Sequence, residues 1–141
     1  PGFLLCTNPA QELIGRHDVV IAPLVGAEVI TGSTRMKAGT ATKLVLNAIT
    51  TGAMVRLGKV YGNLMVDLQV TCEKLQDRGE RILCETLGLE RPAAVSLLAR
   101  AQGHVKVALV MGHLDVGRDE AKRRLEDAAG VLGTVLGGLD R

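Results

Sequence analysis

The chain opens with two short apolar runs, "GFLLCTN" (Gly2 to Asn8) and "DVVIAP" (Asp18 to Pro23), each closed by turn residues. Runs of this kind suit strands of a sheet covered on both faces. "PAQELIGRH" between them reads as a short helix or turn, and "LVGAEVITGST" (Leu24 to Thr34) as a loop. The pattern then predicts a long helix from about Met36 to Tyr61, with Ser33 or Thr34 as its N-cap. Leu44, Val45, Leu46, Ile49, Met54, Val55, Leu57 and Val60 cover most of its circumference. Such a helix is expected to be buried on nearly all sides. Gly52, Gly58 and Gly62 cost helix stability but permit close approach of another backbone. One polar line remains, formed by Lys43, Asn47 and Thr50 or Thr51. A further helix, about Thr71 to Leu87, is amphipathic and rich in charge.

From Pro92 onward a weak internal repeat sets in. Ala94, Leu98, Ala101, Gly103, Val105 and Leu109 recur 27 residues later as Ala121, Leu125, Ala128, Gly130, Leu132 and Leu136. Each copy predicts a helix, a glycine stop and a second helix start. Two copies are too few for a solenoid, so the reading is a small bundle of three or four short helices. "ETLGLERP" (Glu85 to Pro92) is the expected linker. Strands alternating with helices argue an α/β layered domain over residues 1–88, followed by a helical domain over 89–141.

Composition narrows the function. The 141 residues are 47% hydrophobic, yet include one Tyr, one Phe and no Trp. The core must be aliphatic, and the stacking platforms that single-stranded nucleic acid needs are nearly missing. A net charge of +2 draws in neither DNA nor an anionic membrane. No apolar run approaches the roughly 18 residues of a membrane span, and no signal peptide is visible. Cys6, Cys72 and Cys84 are odd in number and far apart, so they read as reduced core thiols of a cytoplasmic protein. The first residue is Pro, and the apolar run starts at once, which reads as a piece of a longer polypeptide.

The chemistry concentrates at the start of the long helix. Between Val29 and Val66 there is no Asp or Glu, while Arg35, Lys37, Lys43, Arg56 and Lys59 all fall there. Helix N-termini expose unpaired N–H groups and a partial positive charge, and Thr31, Ser33 and Thr34 add hydroxyl donors. Phosphate is the natural guest of such an entrance. The spacing is not a P-loop, because Gly39 is followed by Thr rather than Lys. An ordinary capped helix with solvated lysines is the plainer alternative. Other features are weaker. His17, His104 and His113 converge at no metal spacing. "RDEAKRRLED" and "TCEKLQDRGERIL" read as solvated helix faces. Glu28 either orients a cation, serves as acid or base, or is a solvated loop carboxylate, and the last is the simplest reading.

The stretch "VGAEVITGSTRMKAGTATKLVLNAITTGAMVRLGKVYGNLMVDLQVT" (Val25 to Thr71) closely resembles the signature of the N-acetylmuramic acid 6-phosphate etherases. "LLCTNP", "KLQDRGERI" and "ARAQGHVKVALVM" agree more loosely, so essentially the whole chain looks like the C-terminal half of such an etherase. The resemblance implies a sugar isomerase (SIS) type three-layer parallel sheet with helices, followed by the small helical bundle. It implies a cytoplasmic lyase that cleaves the D-lactyl ether to give N-acetylglucosamine 6-phosphate and D-lactate, by elimination of lactate and addition of water. It implies carboxylate acid–base catalysis with no metal or organic cofactor, a sugar-phosphate substrate and a homodimer, and neither a nucleic-acid nor a membrane partner. The family's catalytic glutamates and its serine-rich phosphate loop have no counterpart here, so no catalytic residue is assigned. The resemblance places "TGSTRMKAGTATK" at the sugar-phosphate site, which a second subunit can complete. Ser33, Thr34, Arg35, Lys37 and Lys43 are the residues expected to contact or organise the ligand. Lys37 is favoured for direct charge contact, with Arg35 holding the loop. The competing readings are a non-catalytic sugar-phosphate-binding regulator resembling the glucokinase regulatory protein, and a protein-interaction module built on the terminal bundle.

Overall fold

The computed structural model describes residues 3–5, 7 and 15–137. Backbone packing divides the chain into two compact units, Pro1–Gly52 and Ala53–Arg141. The architecture is α/β and mostly helical.

In the first unit, β1 (Phe3–Leu5) pairs in parallel with β2 (Val19–Ile21), Phe3 opposite Val19 and Leu5 opposite Ile21. Both lie inside the runs expected to be strands. Residues 9–14 of "PAQELIGRH" and Cys6 fall outside the described residues. After β2 comes a loop with one tight turn. There the Ser33 N–H donates to the Ile30 carbonyl at 3.0 Å, and Gly32 takes φ +82, as the third position of a type II turn requires. The long helix α1 follows, Lys37–Arg56.

For α1 the expected length is corrected, and the expected burial is not met within this chain. None of its residues is buried, and Leu44 and Leu57 just beyond its end are 64% and 60% exposed. An apolar circumference says what a helix is able to bury, and burial needs a second surface. The helix also stops five residues before Tyr61. The Lys59 N–H reaches the Met54 carbonyl at 3.0 Å and the Gly58 N–H the Val55 carbonyl at 3.0 Å. With Gly58 at φ +67, this is a Schellman stop. A Cβ on Gly58 would lie 3.0 Å from the Gly130 carbonyl oxygen and from Val131 Cα. Close backbone approach is therefore its role, in a turn rather than a helix. The apolar pattern continues as a hairpin of β3 (Val60–Tyr61) and β4 (Leu64–Met65). Gly62 at φ +59 opens its two-residue turn.

The second unit continues with α2 (Glu73–Leu87), α3 (Arg91–Arg100), α4 (Val105–Leu114), α5 (Arg118–Asp127) and α6 (Leu132–Leu136). The core centres on α4, which packs against α2, α3, α5 and α6. Val105, Val107, Ala108, Leu109, Val110 and Met111 of α4 are all buried, joined by Leu83, Leu98, Leu125 and Leu132. Apart from Tyr61 the core is aliphatic, as the composition leads one to expect.

The repeat is visible bond for bond. The Gly103 N–H donates to the Leu98 carbonyl at 3.0 Å, and the Gly130 N–H to the Leu125 carbonyl at 2.7 Å. Gln102 and Ala129, one residue earlier, take φ 54 and 50. Ala94 and Ala121 are both fully buried where neighbouring helices meet. Each glycine turn is stoppered differently. Gly103 lies against Val70, and its carbonyl accepts the Val70 N–H at 3.0 Å. The Gly130 carbonyl accepts Lys106 Nζ at 2.7 Å. Lys106 also pairs with Asp67 at 3.3 Å, and Lys59 binds the same carboxylate from the other side.

Two further readings change. The α2 face read as solvated includes one buried carboxylate, Glu80, 4% exposed. It accepts Gln76 Nε2 at 3.0 Å and Arg91 Nε at 3.0 Å. Arg91 also binds Asp77 at 2.6 Å, so the expected linker is a braced three-residue joint, 88–90, with Gly88 at φ +66. Cys72 is exposed just before α2, and Cys84 is partly buried, both as free thiols. The expectation of core thiols therefore fails for Cys72. As the N-cap of α2, Cys72 lies ahead of the helix's apolar stripe and outside the core.

Candidate functional site

The loop that enters α1 is tied to it twice. The Glu28 carboxylate accepts the Lys37 N–H at 2.9 Å through one oxygen and the Ala38 N–H at 3.0 Å through the other. One residue earlier, the Ala27 carbonyl accepts Lys37 Nζ at 2.7 Å. Hydrogen bonds from Ala38 and Lys37, with the Lys37 charge in support, hold the Glu28 carboxyl below the usual carboxylate range.

These bonds fill the helix entrance from within. The next two amides are also taken: the Gly39 N–H by the Thr34 carbonyl at 2.9 Å, and the Thr40 N–H by the Met36 carbonyl at 2.9 Å. All four N–H groups of the first turn thus have partners inside the chain. Expected unpaired amides at this helix start are not found. The cap is Glu28 rather than the Ser33 or Thr34 hydroxyl, because a carboxylate brings full charge and two acceptors to the positive end of the helix.

The donors left over belong to the loop and the helix surface. Ser33 is half-buried, while Thr34, Arg35, Lys37 and Lys43 are exposed. Thr34 lines a cavity of about 320 Å³ together with Thr7, Val25, Gly26, Glu28 and Ala38. Lys37 borders a shallow apolar depression with Val25, Met36, Thr40 and Leu44. The side chains of Arg35 and Lys43 have no hydrogen-bond or ion-pair partner among the described residues, and neither lines that cavity. The fold thus brings Glu28, Thr34 and Lys37 together and leaves Arg35 and Lys43 on the surface. Between the two cations expected at the ligand and at the loop, the geometry shows Lys37 holding the loop through Ala27.

Chemically, hydroxyls, a guanidinium and an ammonium group are available to an oxyanion. Glu28 is ill suited to proton abstraction, since its lowered pKa and its two amide bonds both weaken it as a base. Its role escaped the sequence because capping patterns are sought within three residues, and this cap spans nine and ten. The available signal was a lone acid directly before a long acid-free cationic stretch.

Among the described residues no group of three or more His, Cys, Asp or Glu is placed to hold a metal ion, and no helix is long and apolar enough to cross a membrane.

No protein-family model matches the chain. Whole-protein comparison does find relatives. The chain is 54% identical over 138 residues to an N-acetylmuramic acid 6-phosphate etherase of Salinibacter ruber, covering 98% of this chain and 44% of that protein. It is 53% identical over 135 residues to one of Mycolicibacterium smegmatis, covering 95% of this chain and 45% of that protein. A third, of Photobacterium profundum, is 50% identical over 129 residues, covering 92% and 43%. The chain therefore spans under half the length of the curated relatives it matches. At such identity over nearly all of its own residues, the chain is closely similar to a portion of the N-acetylmuramic acid 6-phosphate etherases.

Proposed function

We propose that this chain is part of an etherase acting on N-acetylmuramic acid 6-phosphate in cell-wall amino sugar recycling, releasing D-lactate and N-acetylglucosamine 6-phosphate. The observation that carries this reading is the roughly half-identical match along almost the whole chain to proteins bearing that name. The acid-free segment from Val29 to Val66 supports it, because a phosphate ester is repelled by carboxylates and attracted by Arg35, Lys37 and Lys43.

In this reading the chain supplies binding and its partner segments supply catalysis. Elimination of lactate needs a base to remove the proton beside the sugar carbonyl and an acid to protonate the leaving oxygen. Glu28, the one acid in the loop sequence from Leu24 to Thr34, is committed as a cap, so the carboxylate pair is assigned outside residues 1–141. Ser33 and Thr34 donate from the loop, Arg35 and Lys43 supply charge, and Lys37 sets the loop.

The same reading makes the parallel β1–β2 pair a fragment of a three-layer SIS-type sheet. It makes residues 1–88 the end of the sugar-phosphate domain and 89–141 a small helical domain that follows it. The exposed apolar surface of α1 is assigned to contacts with further chain of the same protein, including a second subunit of a homodimer. Exposed aliphatic area on this scale marks an interaction surface.

The test is a D-lactate assay with N-acetylmuramic acid 6-phosphate, run on the full-length gene product and on the 141-residue segment. Lactate is expected from the first and not from the second. Release by the isolated segment would refute the assignment of the carboxylates. A full-length protein that binds N-acetylglucosamine 6-phosphate but releases no lactate would favour the regulator.

A further inference from the structure

We infer that Glu28 and Lys37 form a two-sided clamp that positions the phosphate-binding loop, with Glu28 as a positioning residue of the site rather than a ligand-contacting or catalytic one. This inference rests on the sugar-phosphate reading of the loop.

The bonds all run one way. Residues 27 and 28 accept from the helix start: the Ala27 carbonyl from Lys37 Nζ at 2.7 Å, and the two Glu28 oxygens from the Lys37 and Ala38 amides at 2.9 and 3.0 Å. One loop strand gives acceptors, the helix start gives donors, and three bonds close the ring. The segment between the clamped ends carries Ser33, Thr34 and Arg35, three of the five residues assigned to the ligand. Inside the ring the Ile30–Ser33 turn, with Gly32 at φ +82, fixes where those side chains emerge. Closing a flexible loop costs entropy, and prior closure spares a bound ligand that cost.

The clamp also decides what the helix start contributes. A phosphate seated on the first-turn amides would have to displace a carboxylate already fitted to two of them. The clamp instead leaves the ligand to the hydroxyls and cations of the loop. Glu28 then enters binding through the loop it holds, and its removal alters affinity without touching the chemistry.

In the full-length protein, Glu28→Gln retains the shape but loses the charge and one acceptor. The expected result has three parts. Amide hydrogen exchange at Lys37 and Ala38 becomes faster by about tenfold or more. Affinity for N-acetylglucosamine 6-phosphate, measured by calorimetry, falls by at least about tenfold, and the loss appears in KM for the substrate with kcat little changed. The double variant Glu28→Gln with Lys37→Ala loses no more affinity than the worse single one, because either change opens the same ring. Unaltered exchange at the two amides would overturn the clamp. Faster exchange with unchanged affinity would overturn the positioning role, and tighter binding would make Glu28 a competitor of the phosphate instead. A native protein that binds no sugar phosphate at all would overturn the functional reading, and this inference with it, whatever the exchange data show.

Discussion

Lys106 places its ammonium group 2.7 Å from the carbonyl oxygen of Gly130, so that the first glycine-turn repeat plugs the turn of the second. The lysine side chain is only 12% exposed and shares its charge with Asp67. A cation here satisfies a carbonyl that the left-handed turn has turned away from helical partners. Lys106→Met keeps the stem and removes the donor. The loss of an acceptor's partner in a largely buried setting is expected to cost about 2 kcal/mol in urea unfolding. An unchanged unfolding midpoint would show that water replaces the ammonium freely.

Gly58 and Gly88 have nearly the same backbone, φ +67 and +66, but different surroundings. A Cβ at Gly88 meets nothing within 4 Å, whereas at Gly58 it meets Gly130 and Val131 at 3.0 Å. Gly88→Ala should therefore cost only the left-handed strain, about 1 kcal/mol. Gly58→Ala should cost at least about twice that, since backbone must move as well. Thermal melts of the two variants side by side decide the matter, and equal losses would count against the close packing at Gly58.

Acid should weaken the fold through its paired carboxylates. The hydrogen bond from Lys59, then the charge and hydrogen bond of Lys106, hold Asp67 below its ordinary value of 3.8. Glu28, Asp77 and Glu120 are lowered in the same sense by their own donors. The unfolded chain then takes up protons at a higher pH than the folded one. The stability these groups contribute is complete above the ordinary carboxylate range and is lost as pH falls through it to the folded values. The urea midpoint should drop between about pH 5 and pH 3. Asp67→Asn should be less stable at neutral pH, where Lys59 and Lys106 lose their counter-charge, and should show a shallower acid slope.

The exposed cations separate structure from binding. Arg35 and Lys43 make no side-chain bonds among the described residues, so Arg35→Ala and Lys43→Ala should leave the melting temperature within a degree or two. If they meet the phosphate as proposed, each should weaken N-acetylglucosamine 6-phosphate binding in the full-length protein by at least tenfold, about 1.4 kcal/mol. Calorimetry showing native affinity in both variants would remove them from the site.

Much of the helical unit was legible from residues alone, because its determinants are local. Gly103 and Gly130 recur at a fixed offset, each stands three positions after the last residue of a helix, and each stops it by the same pair of bonds. The two strands of the first unit were legible for a similar reason, since short apolar runs ended by turn residues have few other uses. The end of α1 was not. Gly52, Gly58 and Gly62 are alike in sequence, and only the close approach of Gly130 and Val131 to Gly58 singles out the one that breaks the helix.

The candidate site divides along the same line. Local composition was sufficient to mark the acid-free cationic loop, to supply its hydroxyls and to place a helix directly after it. Tertiary structure alone decided which groups are free. It brought Glu28 back across nine residues onto the Lys37 amide and drew the Lys37 side chain to Ala27. It likewise sank Glu80 beneath Arg91 while leaving the apolar length of α1 uncovered. Periodicity records which groups a segment offers. Whether an amide, a carboxylate or an aliphatic face is satisfied depends on partners distant in the chain, and no local pattern encodes that.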